Sequence, residues 1–168
     1  ENVIDHYIKV LADKTGSLIA ASAQMGLLAS GGDRKYQDAL VEFGEAVGVA
    51  FQLIDDVIDI AEEGESGKTP GTDLRAGVPT LPVLLLRKQA LTDSNAAELL
   101  ARIDGDLSSD ETLASVVAEL RAHPAAREAE DEARRWAAKA IAAIAPLPEG
   151  SVKQALVTFA NAVVDRSN

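Results

Sequence analysis

The chain has 168 residues, 47% hydrophobic and 26% charged, which places it among globular proteins with room for about one domain and far from compositions that stay disordered. Its 16 basic against 27 acidic residues give a formal net charge of −11, which argues against nucleic acid or an anionic membrane surface as partner and requires any phosphate ligand to be held locally by metal ions or a few lysines. Without cysteine it has no disulfide framework, thiolate zinc site or cysteine nucleophile, a usage that suits a reducing, cytoplasmic compartment.

Alanine is abundant, β-branched runs are short, and apolar residues recur at three and four, so the whole chain reads as all-α. The pattern predicts helices over 3–29, 34–62, 81–91, 95–104, 110–122, 125–145 and 150–166. The first is interrupted by the polar Lys14-Thr15-Gly16-Ser17, and Gly31-Gly32-Asp33 separates it from the second. Between Glu62 and Pro79 a stretch rich in glycine and proline reads as a long loop, a length that in compact domains often serves function. His123-Pro124 and Pro146-Leu147-Pro148-Glu149-Gly150 punctuate the last three helices, and the region after Leu91 reads as scaffold. No apolar run approaches the ~18 residues of a membrane span, and Glu1-Asn2-Val3-Ile4-Asp5 lacks the layout of a signal peptide.

The second predicted helix holds the chemistry. Within its apolar end, at about 100° per residue, Gln52, Asp55, Asp56 and Asp59 fall within about 100° of one another, while Leu53, Ile54, Val57, Ile58 and Ile60 cover the other side. Clustered carboxylates resist desolvation, so such a stripe either faces bulk water or points at compensating cations. The apolar flanks disfavour the solvated alternative. Oxygen donors without histidine or cysteine nearby suit a hard cation such as Mg²⁺, which is commonly held by one or two carboxylates together with substrate phosphates. Lys14 and Lys68, from the segments before and after, could neutralise a diphosphate, although a lone lysine is more often a solvated surface charge.

The run Gly48-Val49-Ala50-Phe51-Gln52-Leu53-Ile54-Asp55-Asp56-Val57-Ile58-Asp59 is followed by Gly67-Lys68, Gly71-Thr72-Asp73-Leu74-Arg75 and Thr80-Leu81-Pro82. Together they resemble the second aspartate-rich region of the trans-type isoprenyl diphosphate synthases. Lys14-Thr15-Gly16-Ser17-Leu18-Ile19 is similar to the Lys-Thr motif that precedes it there, and the resemblance runs from about Tyr7 to Leu86. It implies the helical isoprenoid synthase fold around a central cavity, a homodimer, and an enzyme that joins an allylic diphosphate to isopentenyl diphosphate with Mg²⁺. It further implies that Asp55 is the foremost metal ligand, with Asp56 and Asp59 as direct or water-mediated supports. By the same resemblance Gln52 would lie beside the reacting allyl group, Lys14 and Lys68 would hold the allylic diphosphate, and Thr15 would line the allylic site.

Two departures qualify the match. Val78 stands where many members carry a lysine. The family also has a first aspartate-rich motif followed by paired arginines, whereas the only Asp-Asp pair here is Asp55-Asp56, followed by Gly-Lys and Thr-Leu-Pro. The expectation is therefore that residues 1–168 form a single helical unit, the C-terminal portion of one larger catalytic domain whose N-terminal half is missing, inactive alone. Two other readings fit the same residues: a non-catalytic or complementary subunit of a two-chain prenyl synthase, and a fragment of a type I terpene cyclase. Gly64-Glu65-Ser66-Gly67-Lys68-Thr69 is not a nucleotide loop, because Glu62 stands where that loop needs glycine and the motif follows a helix.

Overall fold

A computed structural model of the chain describes residues 2–62 and 69–167. Among the described residues there is no strand; the order is α1 (Val3–Leu11), a π-helical turn (Ala12–Gly16), α2 (Ser17–Ala29), a 3₁₀ turn (Arg34–Tyr36), α3 (Gln37–Asp59), α4 (Thr72–Arg75), α5 (Leu81–Gln89), α6 (Ser94–Ile103), α7 (Asp110–Ala122), α8 (Pro124–Ala143) and α9 (Ser151–Val164). The helices lie where the apolar spacing predicts them. Two details differ: the run over 3–29 contains a π turn at its polar interruption, and the stretch read as loop contains α4. None of the described helices is long and apolar enough to cross a membrane.

The chain divides into two compact units, one comprising residues 2–54 and 132–166 and the other the described residues of 55–131, with the division falling inside α3 and α8. In the first unit, local chemistry sets the helix starts. The Asn2 side chain accepts a hydrogen bond from the Ile4 amide at 3.1 Å, and Asp33 accepts from Lys35 at 3.0 Å. α3 buries Phe43, Ala46, Val47, Val49, Ala50, Leu53 and Ile54, so its middle is enclosed on most of its surface.

Small residues let the first helical run approach α3 closely. A Cβ added at Gly44 would lie 2.4 Å from the Ala20 Cα, one at Gly48 2.6 Å from the Gly16 Cα, and one at Gly16 2.9 Å from the Glu45 carbonyl oxygen. These are backbone atoms, which cannot swing away. Gly44→Ala and Gly48→Ala should therefore destabilise the chain by about 1–3 kcal/mol through overpacking, more than the roughly 1 kcal/mol that replacing a mid-helix glycine returns. Gly26→Ala is the control, since nothing lies within 4 Å of its added Cβ. Thermal unfolding should show lowered midpoints for the first two and an unchanged or raised one for the third; equal behaviour of all three would contradict the close approach.

In the second unit, α5 buries every residue from Leu81 to Leu86 and packs against α6, which packs against α7. Leu99 and Ile103 of α6 and Leu113, Val116, Val117 and Leu120 of α7 complete this core. Gly71, at φ 82°, makes the turn into α4, and a Cβ there would fall 2.5 Å from the Val117 Cγ2. Conformation and space thus both call for glycine at this turn.

Candidate functional site

In the first unit the π turn carries the predicted Lys14 and Thr15. A π turn inserts one extra residue into the helical repeat and recurs at functional sites. Its backbone rests on α3, where a Cβ at Gly48 would meet Gly16 and, at 3.2 Å, the Thr15 carbonyl carbon. Lys14 is exposed and Thr15 half-buried, and Ser17 donates to the Asp13 carbonyl at 2.6 Å, closing the turn. Gln52, one helical turn beyond Gly48, is half-buried on α3. The residue before it, Phe51, has the Arg166 guanidinium 4.7 Å from its ring centroid, a cation–π contact. Asp165, next to Arg166, pairs with Arg134 at 3.2 Å. The sequence carries no signal for this contact, because the partners are far apart along the chain.

In the second unit the three predicted aspartates are treated differently. Asp55 is half-buried. Asp56 is only 8% exposed, and its Oδ2 accepts from the Leu81 amide at 2.9 Å, the first donor of α5. Asp59 is the last residue of α3; its Oδ2 accepts from the Asp73 amide at 3.1 Å and its carbonyl from the Gly71 amide at 2.6 Å. Two carboxylates of the stripe thus hold backbone donors at the starts of α4 and α5, where the helix dipole also favours negative charge. A buried hydrogen bond to a charged group contributes about 1.5–3 kcal/mol. The Gly71-Thr72-Asp73 turn itself is closed by Thr72, whose hydroxyl donates to the Thr69 carbonyl at 2.8 Å. Lys68, the remaining predicted contact, lies outside the described residues.

Among the described residues no three Asp, Glu, His or Cys side chains converge to hold a metal unaided. A hard divalent ion does not require that, since Mg²⁺ commonly keeps its waters and takes only one or two carboxylates plus ligand phosphates. The carboxylates of Asp55, Asp56 and Asp59 offer only oxygen donors, the ligand type such an ion takes. Asp73, quoted from the sequence only within the Gly71-Thr72-Asp73-Leu74-Arg75 run, meets this stripe through its backbone amide, which donates to Asp59. The second unit also has a cavity of about 750 Å³, lined in part by Glu62, Thr69, Arg75, Asp110 and Arg121. None of the predicted site residues that the structure describes is in its lining. Its arginines are engaged in structure: Arg75 donates to the Leu107 carbonyl at 3.1 Å and pairs with Asp110 at 2.5 Å, and Arg121 donates to the Ile60 carbonyl at 2.8 Å.

Other polar residues have structural work. His123 Nδ1 accepts from the Ala125 amide at 3.2 Å at the start of α8. Arg135 pairs with Glu132 one turn earlier on α8. Trp136 is half-buried, donating to Glu132 at 2.9 Å with Lys139 4.4 Å from its ring centroid, so it belongs to its own helix surface as much as to a core.

Comparison with known proteins adds an independent line. Residues 1–120 match the polyprenyl synthetase family model. The chain is 40% identical to the nonaprenyl diphosphate synthase of Mycobacterium tuberculosis over 99% of this chain and 50% of that protein, and 35% identical to the octaprenyl diphosphate synthase of Haemophilus influenzae over 96% and 49% respectively. Its fold matches the crystal structure of geranylgeranyl pyrophosphate synthase from Corynebacterium glutamicum complexed with calcium and isoprenyl diphosphate, with a TM-score of 0.86 and 40% identity over 99% of this chain and 52% of that one. The chain therefore spans about half the length of the curated relatives it matches.

Proposed function

Given that this chain belongs to the polyprenyl synthetase family, we propose that the protein carrying it condenses an allylic diphosphate with isopentenyl diphosphate to make a longer linear polyprenyl diphosphate. In this reading residues 1–168 are the C-terminal portion of one larger catalytic domain. The observation that carries it is the Asp55, Asp56 and Asp59 stripe at the end of α3, tied by backbone hydrogen bonds to the Gly71–Asp73 turn and the Thr80–Pro82 segment in the order the family motif has.

In the reaction the carbon–oxygen bond of the allylic diphosphate breaks and diphosphate leaves with the bonding electrons. The isopentenyl double bond attacks the electron-poor allylic carbon, a carbon–carbon bond forms, and the resulting cation loses a proton to regenerate an allylic diphosphate. A divalent metal ion, Mg²⁺ in this proposal, supplies charge neutralisation for the departing diphosphate when bound. Asp55 would hold it, with Asp56 and Asp59 in support. Lys14 and Lys68 hold the allylic diphosphate, Thr15 lines the allylic site, and Gln52 lies beside the reacting carbon. Where such charges are preorganised, the transition state develops without rearrangement, which is where electrostatic catalysis gains its advantage.

The product tests the proposal. Labelled isopentenyl diphosphate and an allylic diphosphate with Mg²⁺ should yield a longer linear diphosphate and one inorganic diphosphate per condensation. A free hydrocarbon released from the allylic diphosphate alone is the result expected of a terpene cyclase and would contradict the proposal.

A further inference from the structure

The start of α5 lacks the cap its sequence position offers. Thr80 is its N-cap residue, but the side chain makes no capping bond, and its Oγ1 is buried without a hydrogen-bond partner. Pro82, at the second helical position, has no amide hydrogen to satisfy. Leu81 is 0% exposed, so its amide has no access to water, and it is Asp56 Oδ2, at 2.9 Å from α3, that accepts from it. The carboxylate is thereby fixed at the positive end of the α5 dipole. A cap reaching across from another helix also ties the two elements together. Asp55 and Asp56 are neighbours about 100° apart around α3, so the bond that fixes Asp56 to α5 fixes the rotation of α3 at that point and, with it, the direction of Asp55.

We infer that Asp56 is a positioning residue, the substitute N-cap of α5, whose task is to orient Asp55 and not to ligate the metal ion itself. This narrows the proposed function and rests on it for the role of Asp55. The inference separates charge from capping. Asparagine caps a helix as well as aspartate does, so Asp56→Asn keeps an oxygen for the Leu81 amide while removing the charge a metal would need. Asp56→Ala removes both.

The test uses the protein that carries residues 1–168, with Asp56→Asn, Asp56→Ala and Asp55→Asn compared by thermal unfolding in chelator and by the Mg²⁺ dependence of turnover. Asp56→Ala should lower the unfolding midpoint in chelator and reduce kcat/KM by about 10–100-fold, the usual consequence of losing a group that supports a metal ligand. Asp56→Asn should restore most of both and leave the half-saturating Mg²⁺ concentration near that of the parent protein. Asp55→Asn should raise that concentration strongly. If Asp56→Asn raises the Mg²⁺ requirement as Asp55→Asn does, or if Asp56→Ala leaves the midpoint in chelator unchanged, the positioning role is wrong. If Asp55→Asn alters neither turnover nor Mg²⁺ requirement, the failure belongs to the proposed function.

Discussion

Asp55→Ala is expected to reduce condensation by at least about 10²–10³-fold, the scale seen when one preorganised group stabilising transition-state charge is removed. The neighbours cannot easily take over. Asp56 is held at the start of α5 and Asp59 at the start of α4, each by a backbone amide at 2.9 Å and 3.1 Å respectively. Rotating either carboxylate toward a metal would leave a backbone donor unmet, at about 1–3 kcal/mol. The loss should fall on kcat more than on KM, because the leaving diphosphate gains charge only as its bond breaks. Helical circular dichroism on the variant separates this from misfolding. Near-parental turnover in a folded Asp55→Ala protein would remove Asp55 from the site.

Much of the architecture was legible in the sequence because helices announce themselves through local spacing. The pattern over 110–122 coincides with α7, and that over 81–91 ends two residues beyond α5. The acidic stripe was legible for the same reason, since three aspartates and a glutamine on one side of an apolar helix follow from the 100° repeat alone. The π turn at Ala12–Gly16 was visible only as a polar interruption, because one inserted residue leaves no period of its own. The four-residue α4 was hidden by glycine and proline that otherwise mark loops; the left-handed Gly71 turns the chain into it.

What spacing could not reveal was the division of labour within the stripe. Asp55 and Asp56 are consecutive carboxylates, and the family resemblance makes Asp55 the foremost metal ligand with Asp56 as a direct or water-mediated support. Their difference arises from tertiary partners: the Leu81 amide for Asp56, and for Asp59 the Asp73 amide, each well downstream in the chain. The same holds for Phe51, whose contact with Arg166 closes only when the chain folds.

The second large expected effect concerns the chain as a whole. In the proposed reaction the carboxylates and lysines of this chain would supply part of the charge neutralisation and orientation needed. We propose that the groups binding the second substrate lie in the protein outside residues 1–168, since the chain spans about half the length of the curated relatives it matches. Juxtaposing two substrates contributes roughly 7–11 kcal/mol to lowering such a barrier, so a half-site that holds only one of them should show no measurable elongation. The most direct measurement is therefore the condensation activity of residues 1–168 alone, beside the natural gene product that contains them, with labelled isopentenyl diphosphate, an allylic diphosphate and Mg²⁺. The account predicts a longer linear diphosphate from the natural product and none from the 168-residue chain; Mg²⁺-dependent elongation by the chain alone, or its absence from both, would contradict it.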